Sequence, residues 1–392
     1  EEVFPGFQVD TGAHRIGGLS STVVNDLALA RHGLELIDSE VTAFVPVVDG
    51  TPLTLWRDPQ RTADAIREIS SADADSWIPF TRLIGNAAGF LEAAWMSTPA
   101  DVTGNDLGDL IASAKLGMKL RKLGKKDMVE VMRILSMSVY ELLDDWFESD
   151  LVRGAVAASA VSGICQGPMG GGTAYTLLHH HVGAGAGVIR PTRRVRGGIG
   201  QLSVALSAAC EGAGAEVRTG AAVERIIVEG GTAVGVVADG TEIRAKRIVT
   251  SVDPRRTFFE LLEPSEMAPE FARKVSNIRY RGVCAKVHLT LSGLPDFTCQ
   301  PGAGNHLKGV ISISPSLQYV ERAFDSAKYG RVSDRPYLEV SIPSLSDSSV
   351  APDGQHLMSI FFQYAPYTLR DGAVWDEAAR ERLGDLAIAK LA

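Results

Sequence analysis

Residues 196–254, RGGIGQLSVALSAACEGAGAEVRTGAAVERIIVEGGTAVGVVADGTEIRAKRIVTSVDP, limit the fold more than any other stretch. Glycines 197, 198 and 200 stand before a helical run over 201–212. β-rich pieces follow at 216–219, 223–228, 233–238 and 242–250, with Asp239-Gly240 as a tight turn. Glycines before a helix allow a sharp turn or a close approach of backbone to a ligand. The ordered series of loop, helix and meander says more than any one glycine.

Elsewhere the chain is of another kind. Residues 41–48 and 51–56 read as a hairpin closed by Asp49-Gly50. Asp58-Pro59 starts a helix, with Asp as N-cap and Pro at the first helical position. From 72 to 164 apolar residues recur every three or four positions, which predicts several helices, clearest over 107–123, 127–147 and 151–164. Residues 167–187 are glycine-rich and read as loop with one short helical turn. The final third mixes strands at 284–291, 309–313, 337–342 and 357–363 with a helix at 375–391. Gly-rich strand–turn–helix pieces thus alternate with helical or antiparallel ones, which predicts interleaved domains and an α+β fold.

With these blocks in place, the chain resembles the flavin amine oxidase and phytoene desaturase superfamily. The stretch 196–254 is similar to the middle segment of its FAD domain, and FPGFQVDTGAHRIGG (4–18) to the segment after its first flavin motif. LHHHVGAGAG (178–187) and FFQYAPYTLRDGAVWDE (361–377) look like the phytoene-dehydrogenase-like, pyridine nucleotide-disulphide oxidoreductase domain-containing branch. That resemblance implies an α/β FAD-binding domain made of 1–38 and 186–274, and a mixed-sheet and helical substrate domain made of 39–185 and 275–392. It also implies FAD as cofactor and removal of hydride from an apolar or amine substrate.

The family opens with a strand, GxGxxG and helix that hold the FAD pyrophosphate. It closes with a Gly-rich segment beside the flavin ring. The 392 residues contain no GxGxxG, begin with Glu1 and stop at Ala392. The expectation is a piece of a longer flavoprotein. A non-catalytic scaffold of the same fold, binding a protein or lipid partner, is the other reading.

Carried over residue by residue, the resemblance puts Asp10, Thr11, Gly12 and Ala13 beside the flavin. Val223 matches a position whose backbone pairs with adenine, and Ser251, Val252 and Asp253 fall near the ADP part. His14 and Arg15 are the titratable groups of the first block placed to reach the flavin, and His14 is the candidate proton acceptor. His179, His180 and His181 are consecutive, so regular backbone does not aim all three at one ion; no metal is expected.

The net charge of −8 disfavours a nucleic-acid partner. No apolar run approaches the roughly 18–20 residues of a spanning helix. Four separated cysteines without CxxC fit a reducing, cytoplasmic compartment rather than secretion. Lys115, Lys119, Arg121, Lys122, Lys125, Lys126 and Arg133 are basic in an acidic chain, with Leu116, Met118, Leu120 and Leu123 among them. That mixture predicts peripheral membrane contact or a solvated helical face.

Overall fold

Alternation over 41–56 and the Asp49-Gly50 turn produce a hairpin in which β1 (Val41–Val45) pairs antiparallel with β2 (Leu53–Trp56). The computed structural model describes residues 1–13, 15–99, 101, 107–185 and 187–392. After the hairpin, Asp58 accepts a bond from the Gln60 N–H and Pro59 opens α1 (Pro59–Arg67). Helices α2 (Ser71–Trp95), α3 (Leu107–Lys122), α4 (Lys125–Ile134), α5 (Val139–Asp144), α6 (Asp150–Val161) and α7 (Thr173–His181) follow.

Two details of this helical stretch differ from the sequence reading. The helix expected over 127–147 is two helices. Ser138 accepts from the Glu141 N–H while Glu141 reaches back to the Ser138 N–H, and this reciprocal cap starts a new helix. The loop expected over 167–187 contains the nine-residue α7, which carries the three histidines.

Next come α8 (Gly200–Gly212) and a three-stranded antiparallel meander, β3 (Val223–Glu229), β4 (Thr232–Ala238) and β5 (Thr241–Arg244). Residues 216–219 have no strand partner and are not a strand, and β5 ends at Arg244, with Val249 94% exposed beyond it. Helices α9 (Pro254–Phe259) and α10 (Pro269–Ser276) close this part.

The last third supplies β6 (Cys284–Leu291), β7 (Val310–Ile313), α11 (Leu317–Lys328), β8 (Tyr337–Ser341), β9 (His356–Gln363) and α12 (Glu377–Ala389). Helix α11 is absent from the sequence reading. Its apolar residues Leu317, Val320 and Ala323 are buried at helical spacing, and Ser316 caps it by accepting from the Tyr319 N–H.

Four of these strands join the hairpin in a six-stranded sheet of order β6-β9-β8-β7-β1-β2, parallel only between β7 and β1. Strands β1 and β8 are buried along their whole length, as strands covered on both faces are. One core lies among α1, α2 and α4–α7, and a second lies between the sheet and α12. This is the expected α+β class.

By contacts the chain forms two compact units, Glu1–Ala209 with Gly282–Ala392, and Cys210–Arg281. The interleaving drawn from the sequence divides the chain by role, which compactness does not measure.

Candidate functional site

A cavity of about 480 Å³ opens in the unit Glu1–Ala209 with Gly282–Ala392. The first block lines it with Gly12, Ala13, Arg15, Gly17 and Gly18. Trp95 comes from the end of α2, Ser159 and Ser162 from α6 and its C-cap, and His179, His180 and His181 from α7. Arg190, Pro191 and Phe361 complete it. Among the described residues that line it, none is acidic.

Its floor is a charge network. Arg190 is 1% exposed and adopts a left-handed backbone (φ 57°), a conformation that needs its surroundings to hold it in place. Those surroundings are explicit. Its guanidinium donates to Ser312 Oγ (2.7 Å), Ala155 O (3.3 Å), Tyr337 Oη (3.0 Å) and Glu339 Oε1 (2.9 Å). Arg15 donates through Nη2 to the other Glu339 oxygen (2.8 Å) and to Ser162 Oγ (3.1 Å). Tyr337 also donates to Glu339, and burial pushes its phenol well above its ordinary value. Two guanidinium groups against one carboxylate leave one positive charge among these groups. Arg15 Nε and Nη1 have no partner among the described residues.

Another wall is α7. The Arg190 N–H donates to His181 Nε2 (3.1 Å), so the ring proton sits on Nδ1 and is given to the Leu177 carbonyl (2.6 Å). Burial pulls His181 down to about 4, leaving a neutral imidazole at neutral pH. Burial, with Arg15 nearby, does the same to His180. His180 makes no hydrogen bond among the described residues, and its Nε2 is buried. Such an atom costs about 1–3 kcal/mol if nothing meets it. Trp95, His179 and His180 stack edge to face, with centroids 4.9 and 5.2 Å apart. No group of three metal-ligating side chains occurs among the described residues.

The sequence candidates divide. Gly12 and Ala13 border the cavity. Thr11 is exposed and donates to Glu1. Asp10 turns away: its carboxylate accepts from the Ile199 N–H (2.8 Å), its carbonyl accepts from Lys286 Nζ, and it does not line the cavity. Asp347 takes the neighbouring Gly197 N–H (2.6 Å). The glycine loop before α8 therefore gives two of its N–H groups to protein carboxylates. A Cβ at Gly198 would stand 3.0 Å from Asp10 Oδ1 on a backbone with φ +89°, so glycine there admits Asp10. His14 lies outside the described residues.

Val223, Ser251 and Asp253 belong to the unit Cys210–Arg281. Val223 opens β3 opposite Ala238, Ser251 is exposed, and Asp253 caps α9 by accepting from the Arg256 and Arg255 N–H groups. Those backbone bonds, that of Arg256 foremost, hold its carboxyl below the usual range.

Sequence reasoning missed Arg190, Glu339 and Lys286. Lys286, His288 and Thr290 are alternate residues of β6, while Ala285, Val287, Leu289 and Leu291 between them are apolar, and that period-two signal was readable. Burial foremost, with Arg194 and Arg15 near, pulls the Lys286 ammonium down to about 8 against the attraction of Asp10.

These residues fit a flavin. An added Cβ at Gly12 or Gly17 meets nothing within 4 Å, so the strip borders open space, and Arg190 Nε is buried without a partner among the described residues. A flat ring with polar edges suits that combination of small residues and an unsatisfied nitrogen.

Among known proteins, residues 2–327 match the family described as flavin containing amine oxidoreductase. Pyridine nucleotide-disulfide oxidoreductase domain-containing protein 2 of Rattus norvegicus is 29% identical over 406 residues, covering 98% of this chain and 70% of that protein. One of the limonene dehydrogenase polypeptides of Castellaniella defragrans is 30% identical over 277 residues, covering 68% of this chain and 47% of that protein. The crystal structure of an oxidoreductase from Methanosarcina mazei shares the fold with a TM-score of 0.53 at 15% identity, over 99% of this chain and 73% of that one.

Proposed function

Because this chain belongs to the flavin containing amine oxidoreductase family, we propose that it is an FAD-dependent dehydrogenase or oxidase acting on a substrate held in the cavity beside residues 12–18. The carrying observation is that cavity, lined both by an uncrowded strip of small residues and by a buried nitrogen without a partner among the described residues. When bound, the flavin supplies a two-electron acceptor for hydride. The chain's own share is orientation and exclusion of water. Gly12, Ala13 and Gly17 leave room for a flat group, while Trp95 and Phe361 present apolar surface to the substrate body. The relative named for limonene dehydrogenase supports an apolar body.

Gly12→Val tests this reading. Its backbone is outside the left-handed region and a Cβ there touches no protein atom, so the fold should keep its stability within about 0.5 kcal/mol. Flavin absorbance per mole of purified full-length protein should fall severalfold. Unchanged flavin content would move the cofactor away from this strip.

We further infer a contact with an anionic lipid surface through α3 and the start of α4. This helix buries no residue, and it exposes Leu107, Leu110, Ile111 and Met118 beside Lys115, Lys119 and Lys122. Apolar side chains among lysines complement an anionic headgroup layer. No helix among the described residues is long and apolar enough to cross a membrane. Changing Lys115, Lys119, Lys122 and Lys126 to Gln should weaken binding to phosphatidylserine vesicles at least about tenfold at low salt, and less at high salt. Equal binding by parent and variant removes the contact.

A further inference from the structure

We propose that the cavity selects a substrate whose polar end is an acceptor oxygen, a carboxylate or a carbonyl, on an apolar body, and that it rejects alkylammonium ions. This rests on the enzymatic reading above and names its substrate class. The family's description speaks of amines, but the lining points elsewhere.

An ammonium group taken out of water needs a carboxylate or a cluster of acceptors to replace its hydration. Among the described residues lining the cavity there is no carboxylate, and Glu339 beneath it already carries Arg15, Arg190 and Tyr337. The sum of those groups is positive, so an incoming cation is repelled. Donors, by contrast, are in surplus. Arg15 is partly exposed and keeps Nε and Nη1 without partners among the described residues. The imidazole of His180 has no hydrogen bond there, and its Nε2 is buried. A neutral imidazole can donate one N–H to an oxygen and offers no charge to hold a cation. Trp95 and Phe361 supply the apolar part of the lining.

The experiment uses the full-length protein, with flavin content measured on each preparation, and three eight-carbon probes: octanoate, 2-octanone and octylammonium. Calorimetric titration at pH 7 should find octanoate and 2-octanone binding, and octylammonium at least about tenfold weaker than octanoate. The ketone separates charge from the bare acceptor oxygen: octanoate well ahead of it assigns the preference to charge, and parity assigns it to the oxygen. His180→Phe and Arg15→Met should each shrink the gap between octanoate and octylammonium severalfold while retaining flavin.

Octylammonium binding as tightly as octanoate, no binding by any probe, or an unchanged order in both variants overturns the assignment. Loss of flavin from His180→Phe overturns it too, because the nitrogen is then a cofactor contact. A parent protein without flavin that keeps the head-group order breaks the enzymatic reading and leaves the assignment intact.

Discussion

The floor and the α7 wall of the cavity use similar polar side chains and settle them in opposite ways. On the floor, Glu339 engages two guanidinium groups and a phenol, and Arg190, 1% exposed, reaches four acceptors and leaves its Nε without a partner among the described residues. On the wall, His181 is satisfied by Leu177 and Arg190, while its neighbour His180 has no hydrogen bond among the described residues. Buried polar groups are nearly always paired, so a side chain with many internal bonds describes how the protein holds itself, and one with none marks where something else must come. The two surfaces can be separated by mutation because they have different reasons to exist.

The largest effect belongs to the floor. Glu339→Ala strands Arg190 as a buried charge, and the folded state should lose about 3–5 kcal/mol, read by urea denaturation. A loss below about 1 kcal/mol would mean that water reaches Arg190 and that the floor is no closed network.

Acid tests the wall. His181 titrates near 4 when folded against an ordinary 6.5, so the unfolded chain binds a proton that the folded one refuses. Stability from this group is complete above pH 6.5 and falls as pH drops from 6.5 towards 4, by roughly 3 kcal/mol at most. His180 is pulled down alike and acts over the same window, so His181→Gln should reduce the slope there by about half and leave the rest to His180. Carboxylates held below their ordinary values, Asp38 by its bonds to Arg193 and Arg57 among them, act at lower pH, so the windows stay distinct. An equal slope in parent and variant would remove His181 as its source.

The smallest effect has the opposite sign. His180→Phe deletes an unsatisfied buried nitrogen and should stabilise the ligand-free protein by about 1 kcal/mol. A loss of that size instead would show that His180 already has a partner, and the contrast between floor and wall would collapse.

Local signals were legible in the sequence wherever one short segment carries them. The Asp49-Gly50 hairpin, the Asp58-Pro59 helix start and the Asp239-Gly240 meander turn are of this kind. The break at Ser138 was also written locally, as Ser138 and Glu141 three residues apart, within an apolar period that runs on through it. The cavity floor left no such trace. Arg15, Arg190 and Glu339 sit on three distant segments, and periodicity says nothing about which charge will meet which. Gly12 and Ala13 reached the cavity through family resemblance, whereas Asp10, from the same block, went to the loop before α8 because a nearby N–H needed an acceptor.

The Arg15–Glu339 pair spans 324 positions and the Arg190–Glu339 pair 149. A chain leaving the ribosome has made both arginines long before their shared carboxylate. Until β8 emerges, Arg190 cannot be buried without stranding its charge, so the helices that later enclose it must wait in a looser arrangement. Contacts this distant are late and slow to form. The nascent protein therefore has no cavity floor until more than four-fifths of these residues have been synthesised, and a chaperone that holds the unfinished chain would meet these unpaired arginines.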